Sequence, residues 1–247
     1  MRPALAALLL IALAAPALAI TGKAPPASGS LARAIVMLTD SDGDLCTATA
    51  LSRDVVLTAA HCVSRERKRS VKVYQTGETI PVGKIVRHLR FDAKAYAMSR
   101  ATADVALVKL EKPLPDIVAP AELAPAHRVA VGETLTIAGF GVTAAFTPYG
   151  LGVPREATLT VTGQPGSLQI RLVDPAASNE RAGLGACTGD SGAPAFDAEG
   201  RIVGVVSWST APNNETGCGG LTGLTPLLLY KDWIETEAAT LATPASR

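Results

Sequence analysis

Hydrophobic positions along this chain come in short runs, and most of the runs are rich in β-branched residues. Clear runs occupy 34–38, 55–58, 71–74, 105–110, 134–138, 157–161, 168–172 and 202–207. Two of them alternate strictly, as in Thr134-Leu135-Thr136-Ile137 and Thr158-Leu159-Thr160-Val161-Thr162. Period-two alternation puts successive side chains on opposite faces of a strand, and Gly, Pro, Asn or Asp separates most of the runs. The pattern predicts an all-β barrel or sandwich. One stretch departs from it: 227–242 carries Leu229, Trp233 and Ile234 at helical spacing with Glu235 and Glu237 between, which predicts a C-terminal α-helix. Residues 111–128 hold Pro113, Pro115, Pro120 and Pro125 and read as an extended connection between two halves.

The N-terminus obeys different rules. Met1 and Arg2 precede an apolar run from residue 4 to 15, too short for the roughly 20 residues that span a bilayer. Pro16 follows, then Ala17-Leu18-Ala19, a small-x-small end. A single positive charge, a short apolar core and that end predict a secretory signal peptide, residues 1–19. Cleavage after Ala17 satisfies the same rule. Either cut removes Arg2, one of 23 basic residues facing 22 acidic ones, so the exported chain is formally neutral. Neutrality excludes a nucleic-acid binder held by net charge. The four cysteines all lie in the exported part, where disulfides are the default. The basic run at 65–69 reads as a solvated loop, and His88 and His127 read as surface or structural residues.

Three residues stand out chemically. Ser191 lies in Gly189-Asp190-Ser191-Gly192, whose glycines let the backbone turn tightly around a presented hydroxyl. His61 ends an apolar run in Thr58-Ala59-Ala60-His61-Cys62. Asp104 leads directly into Val105-Ala106-Leu107, where burial is expensive unless a donor such as a histidine N–H meets the carboxylate. In these motifs, and in their order, the chain resembles the chymotrypsin-like (trypsin family) serine proteases. Gly139-Phe140-Gly141, Ser207-Trp208 and Trp233-Ile234 add to the likeness, which extends over nearly the whole exported chain.

The resemblance implies an all-β fold of two six-stranded antiparallel β-barrels with a C-terminal α-helix. The first barrel and the connection would take residues 20–128, the second barrel and the helix 129–247. It implies a secreted serine endopeptidase working through His61, Asp104 and Ser191, with the Gly189 and Ser191 amides as oxyanion hole. Ser207, Trp208 and Ser209 would pair with substrate, and Gly185 and Ala186 would floor the specificity pocket. Trypsin-like members carry an acid where this chain has Gly185, so the expected preference is for small or medium apolar residues rather than Lys or Arg. Ser209 narrows the entrance, and the second wall falls on Thr222 or Gly223. Cys46 pairs with Cys62 and Cys187 with Cys218 in the family pattern; the first closes a 16-residue loop, worth about 3 kcal/mol of chain entropy. An Ile20 amino terminus, freed by cleavage after Ala19, would pair with Asp190 without a separate zymogen. Lys23 departs from the family glycine.

No cofactor and no metal is expected. The expected partner is a protein or peptide substrate, with a protein inhibitor as a further candidate. Nucleic acid and a stable membrane anchor are not expected, the protein is read as a monomer, and its location is secreted or periplasmic. The alternative readings are a catalytically inactive protease-like binding protein and an esterase or acyl transferase using the same three residues.

Overall fold

The structure is a computed structural model that describes residues 20–125, 128–164 and 167–242. The signal-peptide expectation for 1–19 and the reading of His127 lie outside the described residues.

Six strands, β1 (Ile35–Asp40), β2 (Leu45–Ala50), β3 (Val55–Thr58), β4 (Arg69–Lys72), β5 (Thr79–Arg87) and β6 (Ala106–Leu110), form a first barrel. Six more form a second: β7 (Thr134–Gly139), β8 (Arg155–Gly163), β9 (Ile170–Val173), β10 (Pro194–Phe196), β11 (Ile202–Ser209) and β12 (Thr222–Pro226). All pairings are antiparallel. The first barrel runs β1-β2-β3-β6-β5-β4 and the second repeats that order as β7-β8-β9-β12-β11-β10. Topology therefore repeats where no sequence repeat is visible. Closure removes the unpaired edges that an open sheet would expose.

Two short helices, α1 (Gly29–Ala34) and α2 (Ala93–Ala97), lie in the first half, and α3 (Lys231–Ala242) ends the described chain. The predicted helix over 227–242 is shorter than expected. Leu227–Leu229 forms a 3₁₀ turn, and Tyr230 has φ −123°, outside the helical range, before α3 begins. Leu229 is consequently half exposed rather than on the buried face, which Ile234 and Leu241 supply.

The core has three parts. Val36, Leu38, Val56, Val71, Ile80, Ala106 and Val108 fill the first barrel. Leu135, Ile137, Leu159, Val161, Leu172 and Leu224 belong to the second, and Ile20 joins them. A third cluster joins Ile35, Met37, Leu57, Val105, Leu107, Phe140, Phe196, Tyr230 and Ile234 at the seam between the barrels and under α3. Strand β6 serves two of these at once: Ala106 and Val108 face its own barrel, while Val105 and Leu107 face the seam. A strand buried on both faces reads as a continuous apolar run, which is why 105–110 is so apolar in sequence.

The connection from 111 to 125 turns once, with Val118 N donating to Pro115 O, and bonds to both barrels, Ala121 N donating to Ala50 O and Ala124 N to Ile202 O. The basic run is a loop with residues 65, 66 and 68 exposed, as expected, but two of its arginines are held. Arg67 ion-pairs with Asp40, Asp42 and Asp44 at 2.7–2.8 Å. Arg69 is buried and donates to Cys62 O and Arg67 O. The acidic turn before β2 supplies the counter-charge that the run lacks locally. His88 sits edge-on to Tyr230 and Trp233, with ring centroids 4.8 and 4.9 Å away, and burial lowers its pKa.

Candidate active site

The chemically distinctive residues converge at the seam. His61 lies in the 3₁₀ turn Ala60–Val63 that follows β3, and Asp104 immediately precedes β6. Since β3 and β6 are paired with Thr58 opposite Ala106, the turn and the acid fall at the same end of the barrel. Asp104 is 1% exposed. Its Oδ1 accepts from the His61 amide at 2.8 Å, and its Oδ2 lies 2.7 Å from His61 Nδ1. A third donor comes from the other barrel: Ser207 Oγ lies 2.6 Å from Oδ2. These contacts offset the cost of burying a charge. They also direct the Nδ1–H toward Asp104, leaving Nε2 as the free ring nitrogen.

Ser191 belongs to the loop before β10. Cys62 Sγ lies 3.7 Å from both His61 Nε2 and Ser191 O, so one sulfur atom touches the imidazole and the serine segment. That sulfur is in the Cys46–Cys62 disulfide; Cys187 pairs with Cys218. Cys46, His61 and Cys62 are grouped closely enough for a metal, but both sulfurs are spent in the disulfide, so the thiolate ligands such a site needs are missing. Among the described residues, the N–H groups of Asp190, Gly192 and Ala193 are taken by Cys187 O, Val206 O and Asp190 O. Those of Gly189 and Ser191 donate to no acceptor among the described residues, which leaves two backbone donors of the same loop for a ligand.

Two residues at this site escaped the sequence reading. Thr47, fully buried on β2, clamps the serine loop to the first barrel. Its amide donates to Ser191 O at 2.8 Å, its hydroxyl donates to Gly189 O at 2.9 Å, and the hydroxyl accepts from Phe140 N at 3.1 Å. Tyr96, on α2, stacks on His61 with centroids 4.4 Å apart and planes 12° from parallel, and its hydroxyl donates to Ser207 O at 3.1 Å. The adjacent cysteine was the only sequence signal for Thr47. An alanine-rich stretch gave none for Tyr96.

Asp190 is fully buried, and burial pushes its carboxyl up to about 7 even though the Cys187 and Gly141 amides pull the other way. Those amides donate to it at 2.9 and 2.8 Å. A Cβ at Gly139 or Gly141 would fall 2.2 or 2.4 Å from its oxygens, so both glycines are needed for this approach. Ile20 is fully buried, and Thr21 N donates to Gly185 O at 3.2 Å.

The two candidates for the second wall position, Thr222 and Gly223, differ in their partners. Thr222 pairs with Ser209 across β11 and β12, whereas Gly223 pairs with Trp208. Thr222 Oγ1 accepts from Ala186 N at 2.9 Å and would lie 3.3 Å from a Cβ on Gly185. A buried hydroxyl thus lies against Gly185 and Ala186. Strand β10 pairs with β11 as far as Val205 and the serine loop bonds to Val206; beyond that, among the described residues, no strand lies along the edge at 207–209, where the Tyr96 hydroxyl takes one position on Ser207 O.

The family model described as Trypsin matches residues 20–234. The chain belongs to the trypsin family. Rhinocerase 4, a snake venom serine protease of Bitis rhinoceros, is 27% identical over 212 residues, covering 82% of this chain and 81% of that protein. The venom plasminogen activator of Agkistrodon piscivorus leucostoma is 28% identical over 219 residues, with 82% and 81% covered. Among solved structures, human heparin binding protein superposes with a TM-score of 0.72 at 22% identity, covering 92% of this chain and all of that one. Mouse neuropsin gives 0.71 at 22% identity, with 87% and 99% covered. These likenesses carry the chymotrypsin-like two-barrel fold. As a trypsin-family protein, the chain is a serine endopeptidase and acts on protein substrates.

Replacing Asp104 by Asn tests the pairing directly. An amide nitrogen facing Nδ1 favours the wrong imidazole tautomer, and the same change in the type case of this arrangement costs about 10⁴ in kcat. Amide turnover by Asp104→Asn should fall by a comparable factor while circular dichroism shows an intact fold. A loss of less than tenfold would contradict the pairing.

Proposed function

We propose that His61, Asp104 and Ser191 form the catalytic triad of this endopeptidase. The observation that carries this is a histidine fixed through Nδ1 by a buried carboxylate, with one sulfur touching both its other nitrogen and the Ser191 carbonyl, in a loop with two unengaged amides. Ser191 Oγ attacks the substrate carbonyl while His61 Nε2 takes its proton. The tetrahedral oxyanion accepts from the Gly189 and Ser191 amides, and one such donor typically contributes about 10²–10³ in turnover. His61 then protonates the leaving amine. Water hydrolyses the acyl-enzyme with His61 again as base, and Asp104 stabilises the imidazolium without taking the proton.

Primary specificity follows from Gly185, Ala186 and Thr222. No acid floors the pocket, and the Thr222 hydroxyl caps it, so small or medium apolar side chains fit and Lys or Arg finds no counter-charge. The open edge of Ser207, Trp208 and Ser209 pairs with the substrate backbone.

Activation accompanies export. Removal of residues 1–19 frees the Ile20 amine, whose ammonium pairs with Asp190, and the product is secreted or periplasmic. Burial of Ile20 supports this. Among the described residues no helix is long and apolar enough to cross a membrane.

A peptide-library cleavage profile of the exported protein, beside a Ser191→Ala control, tests the function. Turnover should be lost in the control, and cleavage should follow small or medium apolar residues. Thr222→Gly should shift preference toward Leu and Phe. Lys or Arg substrates winning by tenfold would contradict the pocket assignment.

Asp190 gives a pH test of activation. Its folded pKa near 7 lies above the unfolded value of 3.8 when no cation is present. The unfolded state then releases its proton first, so stability falls as pH rises from about 4 to 7, by about 3–5 kcal/mol in all. A form with extra residues before Ile20 should therefore lose Tm across that window relative to the form beginning at Ile20. Coincident Tm profiles would contradict the ion pair.

A further inference from the structure

A cavity of about 600 Å³ adjoins the open strand edge on the side away from Ser191. Tyr96 and Arg100 line it from the first barrel, and Gln169, Arg171, Trp208 and Ser209 from the second. Two guanidinium groups border it and no carboxylate does. Both arginines are exposed, and among the described residues neither takes part in an ion pair. Asp92 feels Arg100, but its carboxyl is held low chiefly by the Ala95 and Lys94 amides that it caps at the start of α2. The cavity is therefore locally positive in a chain with almost no net charge.

Its floor explains why the arginines face the same space. Trp208, Gly223 and Arg171 are directly paired across β11, β12 and β9, so they share one face of the sheet. The central position has no side chain, and the indole lies over it: a Cβ on Gly223 would fall 1.9 Å from the ring. Arg171 borders this flat platform, and Arg100 faces it from the other barrel. The indole N–H is buried with no acceptor.

Resting on the endopeptidase reading, we propose that this cavity is a subsite for an acidic side chain. A substrate strand on Ser207–Ser209 alternates its side chains. Counting the residue whose carbonyl is attacked as the first, the second and fourth residues toward the substrate's N-terminus share a face. Tyr96, stacked on His61, occupies the approach of the second. The fourth reaches the Trp208 platform between Arg100 and Arg171, where Asp or Glu meets two guanidinium donors.

The test compares peptides identical except for Glu or Gln at that fourth residue. Two solvent-accessible charge contacts should favour Glu by about tenfold in kcat/KM, and 1 M NaCl, with a Debye length of about 3 Å, should erase most of the preference. In an Arg100→Ala, Arg171→Ala double variant the Glu/Gln ratio should fall to about one. In Arg100→Glu, Arg171→Glu the ratio should fall below one, and a third peptide with Lys at that residue should be preferred over the Gln peptide. Lys72→Ala, which removes a charge outside the cleft, should leave the ratio intact. Binding of the same peptides to Ser191→Ala, read by fluorescence anisotropy, keeps the outcome independent of turnover. Tighter binding of the Glu peptide there, without cleavage by the unaltered protein, would sustain the subsite and count against the triad. Equal binding of the two peptides, or a Glu preference that survives the double alanine variant, would overturn the proposal.

Discussion

One buried carboxylate sets the conditions for everything else at the cleft. Asp104 is almost inaccessible to water and carries three hydrogen bonds, two from His61 and one from Ser207. The first two come from its own barrel and the third from the other. Truncating a partner of such a group leaves a buried charge under-solvated, so the two barrels cannot separate at this point without exposing it. Thr47 reinforces the seam nearby, holding the serine loop by a backbone and a side-chain bond. The imidazole is oriented by the interaction that also binds the halves of the molecule together.

This arrangement separates the chemistry from substrate choice. The reacting groups stand at the seam, supported by strands buried on both faces. On the proposed reading, recognition falls to other elements: the buried wall at Gly185, Ala186 and Thr222, the edge of β11, and the exposed arginines of the cavity beyond Tyr96. Because residues 20–247 carry as many basic as acidic side chains, long-range steering contributes little, and local charges at the cleft do the discriminating.

Much of the fold was legible because strands buried on both faces read as continuous apolar runs and half-buried ones alternate, as 105–110 and 157–161 do. Strands β2, β5, β10 and β12 were less so. Strand β10 is three residues long, β5 carries Pro81 and Gly83, and Thr and Gly interrupt the apolar positions of β2 and β12. Their place comes from barrel closure rather than from local pattern. The residues Ser191, His61 and Asp104 stood out because each carries chemistry in a distinctive local motif. Thr47, Tyr96 and the Ser207 hydroxyl act through contacts between segments 35 to 144 positions apart, which no local spacing encodes. The partners of Thr222 needed the β11–β12 register, and the clamping of Arg67 needed the fold of the acidic turn.

The central claim is that His61, held by Asp104, activates Ser191. Organophosphate labelling of the exported protein, followed by peptide mapping, tests it most directly. The account predicts one adduct per chain, on Ser191, with loss of amide hydrolysis in proportion to labelling and no adduct in His61→Ala on the same timescale. An unlabelled native protein, or activity that survives complete modification of Ser191, would contradict it.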